Sequence, residues 1–296
     1  MKPILMDNAF EAWAAAIRYC NDIKDGKATL QYQKNFVSSL HNAVELIMKQ
    51  MMLNNADHRV AEVRNLENES DAQLLLNYFR ATDLNGFFNS LSDDELSKFS
   101  TIQFNKLISM HTKIFGDSLK TGETLIKELK LLQQLRNNET HFMIRQGSFL
   151  SEEEFRELHN FMVRFYKIMK KWNPVNGDDL ESSIFLWWYW YSPDKDDSMY
   201  EFECELLQDF SYESAVRNSK LAKDIAEILK DNLQCGAPDF SPYDIAFDLM
   251  NGYPCLSAQF DEVWAMVYMM QSYKIIVVDT IEDTQGNIHE IMRVFF

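Results

Sequence analysis

The chain has 296 residues, a mass of 34.8 kDa and a net charge of −16, and this length is enough for two domains with separate cores. Its residues are 46% hydrophobic and 25% charged, close to an ordinary soluble protein, and its longest uninterrupted apolar run, residues 184–191, is too short to cross a membrane. Four scattered cysteines without a C-x2-C pair argue against a zinc site and against a disulfide framework, so we expect a cytoplasmic protein with no metal and no cofactor.

The chain begins with two predicted amphipathic helices. Asp7 is a suitable N-cap for the first, and Gly26 is a natural stop after its last turn. The second spans about residues 30–53, where apolar side chains recur at helical spacing. Residues 54–70 interleave Asn, Asp and Glu, which predicts a loop or an insertion.

Further helices are predicted before a domain boundary. Ser92 and Ser151 each precede a glutamate by three residues, the capping-box pattern that marks the start of a helix. Residues 173–179 contain Pro, Gly, two Asn and two Asp, which makes them the best candidate for the boundary. The helices between residue 70 and this boundary are expected at residues 71–80, 87–91, 92–110, 121–135 and 152–172.

Beyond the boundary the composition changes. Residues 184–191 are all apolar and can form a buried strand or a helix; we expect them in the core, with a protein interface as the alternative. Residues 214–296 follow a connecting segment, 173–213, and predict three helices and a hairpin, an order that resembles a winged helix. The elements are expected at residues 214–232, 241–250, 257–273, 274–281 and 288–295. The predicted fold is therefore mainly α, with a smaller α+β module at the C-terminus.

The excess negative charge is confined to the C-terminal part. Residues 1–172 contain 22 Lys and Arg against 22 Asp and Glu, whereas residues 173–296 contain 7 against 23, a net charge of −16. The simplest interpretation is a solvated surface, and the alternative is an acidic module that repels nucleic acid or masks a basic site. DNA affinity depends on cations that contact phosphates, so we expect a protein-contact or regulatory role for this module and no DNA binding.

Arg136, Asn137 and His141 form the pattern that points to chemistry. Histidine can act as a general base or acid near neutral pH, and arginine can hold a phosphate through two hydrogen bonds and stabilise charge in a transition state. Five residues turn a helix by about 500°, so both groups can approach one phosphate if the helix ends or bends near His141. Asn137 and Asn138 are poor helix formers, which agrees with such an end.

This Arg-Asn-x-x-x-His pattern resembles the R-x4-6-H signature of the HEPN domain family, many members of which are metal-independent ribonucleases. The resemblance implies metal-free RNA cleavage by attack of the ribose 2′-OH on the adjacent phosphorus. The resemblance covers about residues 7–172 and implies a HEPN-like helical bundle over a domain of residues 1–172. It also implies a homodimer that brings two motifs into one cleft, RNA as the substrate, and a role in toxin–antitoxin or antiphage defence with an antitoxin or another protein as partner. A glutamate in the second helix is common in the family; Glu45 is the match and implies a polar contact with the arginine.

Other interpretations remain open at this point. Arg136 and His141 can be surface residues near a helix end, where a cation interacts favourably with the helix dipole. Glu45 can be a helix-edge carboxylate that pairs with His41 one turn earlier. The chain would then be a non-catalytic HEPN-like protein that dimerises and binds a partner, with an acidic regulatory domain; a transcription regulator is the third possibility. The signatures of common metalloproteases, nucleotide-binding phosphate loops and esterases do not occur in the sequence.

Overall fold

The computed structural model describes residues 5–64, 69–119, 124–140, 149–172, 206–232, 241–253, 256, 258–282 and 288–296. The protein is mainly helical, as its sequence predicts, and two small antiparallel sheets of two strands each accompany the helices. Its residues divide into two compact units: Met1–Arg18 with Lys34–Gln208, and Tyr19–Gln33 with Asp209–Phe296. Among the residues described, no helix has the length and apolar character needed to cross a membrane.

The first unit is a helical assembly with one short sheet. In the sheet, β1 (Ala61–Val63) and β2 (Phe99–Thr101) run antiparallel, and Glu62 lies opposite Ser100. The helices that belong to this unit wholly or in large part are α1 (Met6–Lys24), α2 (Leu30–Asn54), α3 (Glu69–Arg80), α4 (Leu84–Asn89), α5 (Asp93–Leu96), α6 (Phe104–Phe115), α7 (Ile126–Thr140) and α8 (Glu152–Trp172). Residues 19–24 at the end of α1 and residues 30–33 at the start of α2 belong to the second unit.

Helix α8 supplies much of the core of the first unit because its apolar residues recur on one face. Phe165 is fully buried, and its ring lies 5.9 Å from that of Trp13, 5.7 Å from that of Phe115 and 5.4 Å from that of Phe161. The helix begins at a capping box, as predicted: the backbone amide of Glu154 donates to the Ser151 hydroxyl, and the Glu154 carboxylate accepts from the Ser151 amide.

The short sheet was not predicted, and it breaks a predicted helix. Residues 92–110 form α5, which begins with the predicted Ser92 capping box, then β2, then α6, and β2 pairs with β1 inside the predicted loop 54–70. The prediction of a single helix over residues 92–110 was therefore wrong. An aromatic cluster favours the strand, because Phe99 packs its ring 5.2 Å from both Tyr78 and Phe88.

Tyr78 is the fully buried centre of this aromatic cluster. Its hydroxyl donates to the carbonyl oxygens of His58 and Ala61, at 2.5 and 3.2 Å. Burial raises the pKa of Tyr78 from its ordinary value of 10.0 to about 12, against the smaller lowering effect of the Ala61 hydrogen bond.

This pKa shift gives a pH dependence of stability. The contribution of Tyr78 is fully present below pH 10, where the phenol is protonated in both states, and is lost as pH rises toward 12, because the unfolded state ionises first. We expect the wild type to lose stability over this range more steeply than Tyr78→Phe, by up to about 1.4 kcal/mol per pH unit. Urea unfolding at several pH values measures both slopes; equal slopes would contradict the assignment.

The second unit combines helices with the C-terminal hairpin. Strands β3 (Ile276–Glu282) and β4 (Ile288–Val294) run antiparallel, and Asp279 lies opposite Ile291, so the predicted hairpin is confirmed; its turn is outside the described residues. The helices that precede it are α9 (Tyr212–Asn218), α10 (Lys220–Asn232), α11 (Pro242–Gly252) and α12 (Phe260–Ser272). One predicted helix, residues 214–232, is two helices separated at Ser219, whose backbone amide closes the end of α9.

Helix α12 is central to the second unit, where it packs against α9, α10, α11 and β3. Its buried side is apolar and rich in methionine, with Val263, Met266, Val267 and Met270 almost fully enclosed. Four helices and a hairpin thus occur where three helices and a hairpin are predicted, and the winged-helix resemblance stays a prediction. The predicted connecting segment, 173–213, lies mostly outside the described residues, so the domain boundaries stay predictions too. Tyr19–Gln33 groups with the C-terminal residues, which its place in the sequence does not indicate.

Candidate functional site

Arg136 and Asn137 lie near the C-terminal end of α7, which packs against α6 and α8. The buried side of this helix carries Leu129 and Leu132. Arg136 follows these residues by seven and four positions, so it continues the same stripe and is half-buried, whereas Asn137 is exposed. A guanidinium at the edge of a packed core has fewer available positions than one on a free surface.

Two ion pairs connect α7 to α8. Arg164 of α8 pairs with Glu128, and the Lys127 amine donates to the Glu157 carboxylate at 3.1 Å. These pairs lie two turns or more before Arg136 along α7. Together with the buried leucines, they position the helix that carries Arg136 and Asn137 against α8.

The end of α7 differs from its prediction. The helix continues through Asn137 and Asn138 to Thr140, instead of ending near Leu135, so neither asparagine is a cap. Leucines on the buried side give the helix enough packing to override the low propensity of asparagine. His141 lies outside the described residues, and its position relative to Arg136 stays a prediction.

Glu45 lies in a polar cluster on α2. Its carboxylate accepts a hydrogen bond from Lys49 at 2.5 Å and lies 3.7 Å from His41, so the predicted His41–Glu45 pair is confirmed. Lys49 is nearly buried and also donates to the Thr101 hydroxyl at 3.0 Å, while the His41 ring packs 4.2 Å from that of Phe104. The cluster therefore joins α2 to β2 and α6. The contact of Glu45 with Arg136 stays a prediction.

His111 is a further buried histidine, for which the sequence offered no partner. Its Nδ1 lies 2.8 Å from the carbonyl oxygen of Ile108, and its Nε2 lies 2.9 Å from the Thr124 hydroxyl. A carbonyl only accepts, so in the neutral ring Nδ1 carries the proton and Nε2 accepts from Thr124. This residue connects α6 to the start of α7 and has a structural role. No group of three or more metal-binding side chains is found among the described residues.

The second unit contains a groove of about 390 Å³ that sequence patterns did not indicate. It lies between the α1–α2 connection and α12. The Lys27 amine, at its edge, donates to Glu262 at 3.4 Å and lies 3.5 Å from Asp22. Burial lowers the pKa of Lys27, but the two carboxylates outweigh this effect and raise it above the ordinary value. The lining is largely apolar and includes Leu30, Trp264, Ala265, Met266 and Met269.

No family model, no curated protein and no solved structure matches this chain. What the protein does must therefore be inferred from its own residues.

Proposed function

We propose that this protein is a metal-independent endoribonuclease of the HEPN type, active as a homodimer. The observation that carries the proposal is the placement of Arg136: a half-buried cation on a helix fixed by packing and ion pairs, next to the exposed amide of Asn137. An arginine held in this way can bind a phosphate without first losing much side-chain freedom. Residues 1–172, which include this helix, have balanced charges, so this part of the chain carries no net charge that repels RNA.

The proposed reaction needs no group from outside the protein. His141 removes the proton from a ribose 2′-OH, and the 2′ oxygen attacks the adjacent phosphorus. Arg136 stabilises the added negative charge on the phosphoryl oxygens, and Asn137 orients the histidine or the phosphate. The bond to the 5′ oxygen breaks, and a second acid protonates this leaving group. The products are a 2′,3′-cyclic phosphate and a 5′-hydroxyl.

The requirement for two proton-transfer groups is the reason for proposing a homodimer. One motif supplies one histidine, and a two-fold axis near the motif would bring a second His141 to the same phosphate. Glu45 enters the proposal as a positioning residue, because its carboxylate is already held by Lys49 and His41.

Substitution of the motif is expected to abolish most RNA cleavage. Purified wild-type protein in EDTA should cleave RNA, and Arg136→Ala and His141→Ala should each lower the rate by about 100-fold or more, as expected for loss of a transition-state cation or of a general base. Lys130→Ala, which removes an exposed cation from the same helix, should change the rate by less than about twofold. Equal cleavage by all four proteins would remove Arg136 and His141 from the mechanism.

Product analysis and sedimentation complete the test. Cyclic phosphate ends are expected at the cut, and the active species should sediment as a dimer. Growth arrest on expression of the wild type, but not of His141→Ala, would connect the activity to toxin or antiphage defence. A protein that neither cleaves RNA nor arrests growth would favour the non-catalytic, partner-binding alternative.

A further inference from the structure

Helices α11 and α12 of the second unit are apolar on both sides. Their inner sides carry buried residues such as Leu249 and Val263. Their outer sides carry large aromatic residues that are 44% to 59% exposed: Tyr243, Phe247, Trp264 and Tyr268. A contiguous exposed apolar patch on a protein marks an interaction site.

The outer side chains form one surface, which we call the aromatic face: Tyr243, Phe247, Phe260, Trp264 and Tyr268. The face follows from spacing, because these residues occur four apart on each helix. The Tyr243 ring lies 6.5 Å from that of Phe247 in a nearly parallel arrangement, 5.3 Å from that of Phe260 and 6.5 Å from that of Trp264. Tyr243 thus joins the two helices into a continuous surface.

The groove adjoins the aromatic face through a shared residue. Trp264 belongs to the face and also lines the groove, beside Met266 and Met269. Methionine side chains are flexible and polarisable, and they adapt to the shape of an inserted apolar group. The aromatic face and the groove therefore offer an aromatic surface for cations next to a pocket for apolar side chains.

The charges around this surface have one sign. Helices α11 and α12 contain Asp244, Asp248, Asp261 and Glu262 and no Lys or Arg. Residues 209–296 contain 14 Asp and Glu against 6 Lys and Arg, a net charge of −8. Lys27, the cation among the groove-lining residues, is neutralised by Asp22 and Glu262. Aromatic ring faces are themselves electron-rich, so both features favour a cation.

We propose that the aromatic face and the groove bind a Lys- and Arg-rich amphipathic segment of a partner protein. Apolar side chains of the segment enter the groove, and its cations lie over the rings and beside Asp248 and Asp261. The same carboxylates repel the phosphates of a nucleic acid and therefore disfavour RNA as the occupant. This function is additional to the proposed ribonuclease activity and does not depend on it.

Labelled peptides test the surface in the full-length protein. A fluorescein-labelled amphipathic peptide with lysine and leucine at helical spacing should bind, as measured by fluorescence anisotropy, and the same peptide with glutamate for lysine should not. Trp264→Ala and Tyr268→Ser should each weaken binding by about tenfold, the effect typical of an aromatic anchor in an interface. Loss of the two carboxylates in Asp248→Asn/Asp261→Asn should weaken it to a similar degree.

Matched variants separate this surface from general attraction to an acidic protein. Phe79→Ala removes a ring that is 60% exposed in the first unit, and Asp224→Asn/Glu227→Gln removes two carboxylates from α10; each should change affinity by less than about twofold. Equal loss in the control and test double variants would overturn the proposal. Oligomer dissociation on Trp264→Ala would also overturn it, because the occupant would then be a second copy of the chain.

Discussion

Replacement of Lys98 by methionine is expected to lower the free energy of unfolding by about 3–5 kcal/mol, because it leaves the carboxylate of Asp71 buried without its lysine. Asp71 is 2% exposed in the first turn of α3, and its carboxylate pairs with the Lys98 amine next to β2. A charge in such a place is costly unless a partner compensates it. Urea unfolding, followed by circular dichroism, measures the loss.

Two comparisons identify burial as the cause. Lys106→Met breaks the ion pair between Lys106 and Glu62, whose side chains are respectively 56% and 64% exposed. This change should lower the free energy of unfolding by at most about 1 kcal/mol. The double variant Asp71→Asn/Lys98→Met removes both charges and should recover much of the stability lost in Lys98→Met. A cost for Lys98→Met no larger than that for Lys106→Met would show that Asp71 finds sufficient solvation elsewhere.

The helices of this protein are readable from its sequence because each long helix needs one continuous apolar face. This periodicity places α2 and α8 to within about two residues, the normal uncertainty of helix ends. Strands β1 and β2 are three residues long, too short for an alternation of apolar and polar residues to be seen. Their pairing depends on an aromatic cluster assembled around Tyr78 from separate elements, which local patterns do not contain.

The candidate sites also differ in how far the sequence predicts them. The motif is local, so the sequence predicts that Arg136 lies at the end of a helix, and the His41–Glu45 pair follows from a spacing of one turn. The groove brings Lys27 to Glu262 across 235 positions of the chain. Neither segment contains a pattern that predicts this contact. The residues around Lys27 fit the end of α1, and the residues around Glu262 fit the start of α12.

The two units present different surfaces for different chemistry. The first carries a half-buried arginine in a part of the chain whose charges balance, and the second carries the aromatic face among carboxylates. In the proposed functions, Arg136 binds a phosphate, whereas the carboxylates beside the aromatic face repel one. The carboxylates beside the aromatic face would neutralise the charge of a basic partner segment bound there. The RNA-cleavage assay and the peptide-binding assay therefore test the two proposals independently.

Gly26→Ala is expected to destabilise the second unit by about 2–4 kcal/mol and to weaken binding of the lysine peptide. Gly26 has a φ of +93°, where an L side chain is strained. A Cβ there would lie 3.0 Å from the carbonyl oxygen of Ala215 and 3.1 Å from the Cα of Val216. Both are backbone atoms that cannot rotate away, so the α1–α2 connection, which forms one wall of the groove, must shift.

Gly116→Ala is the matched control, because it separates backbone strain from the contact of a new Cβ with neighbouring atoms. Gly116 also has a positive φ, +49°, but a Cβ there would meet nothing within 4 Å. Its replacement should cost only the backbone strain of a residue at φ +49° and ψ −127°, about 1–3 kcal/mol, and leave peptide binding unchanged. Thermal unfolding and fluorescence anisotropy of both variants measure the difference. The two variants could instead lose similar amounts of stability and both keep peptide binding. This result would show that the α1–α2 connection shifts easily and that the close approach at Gly26 does not shape the binding surface.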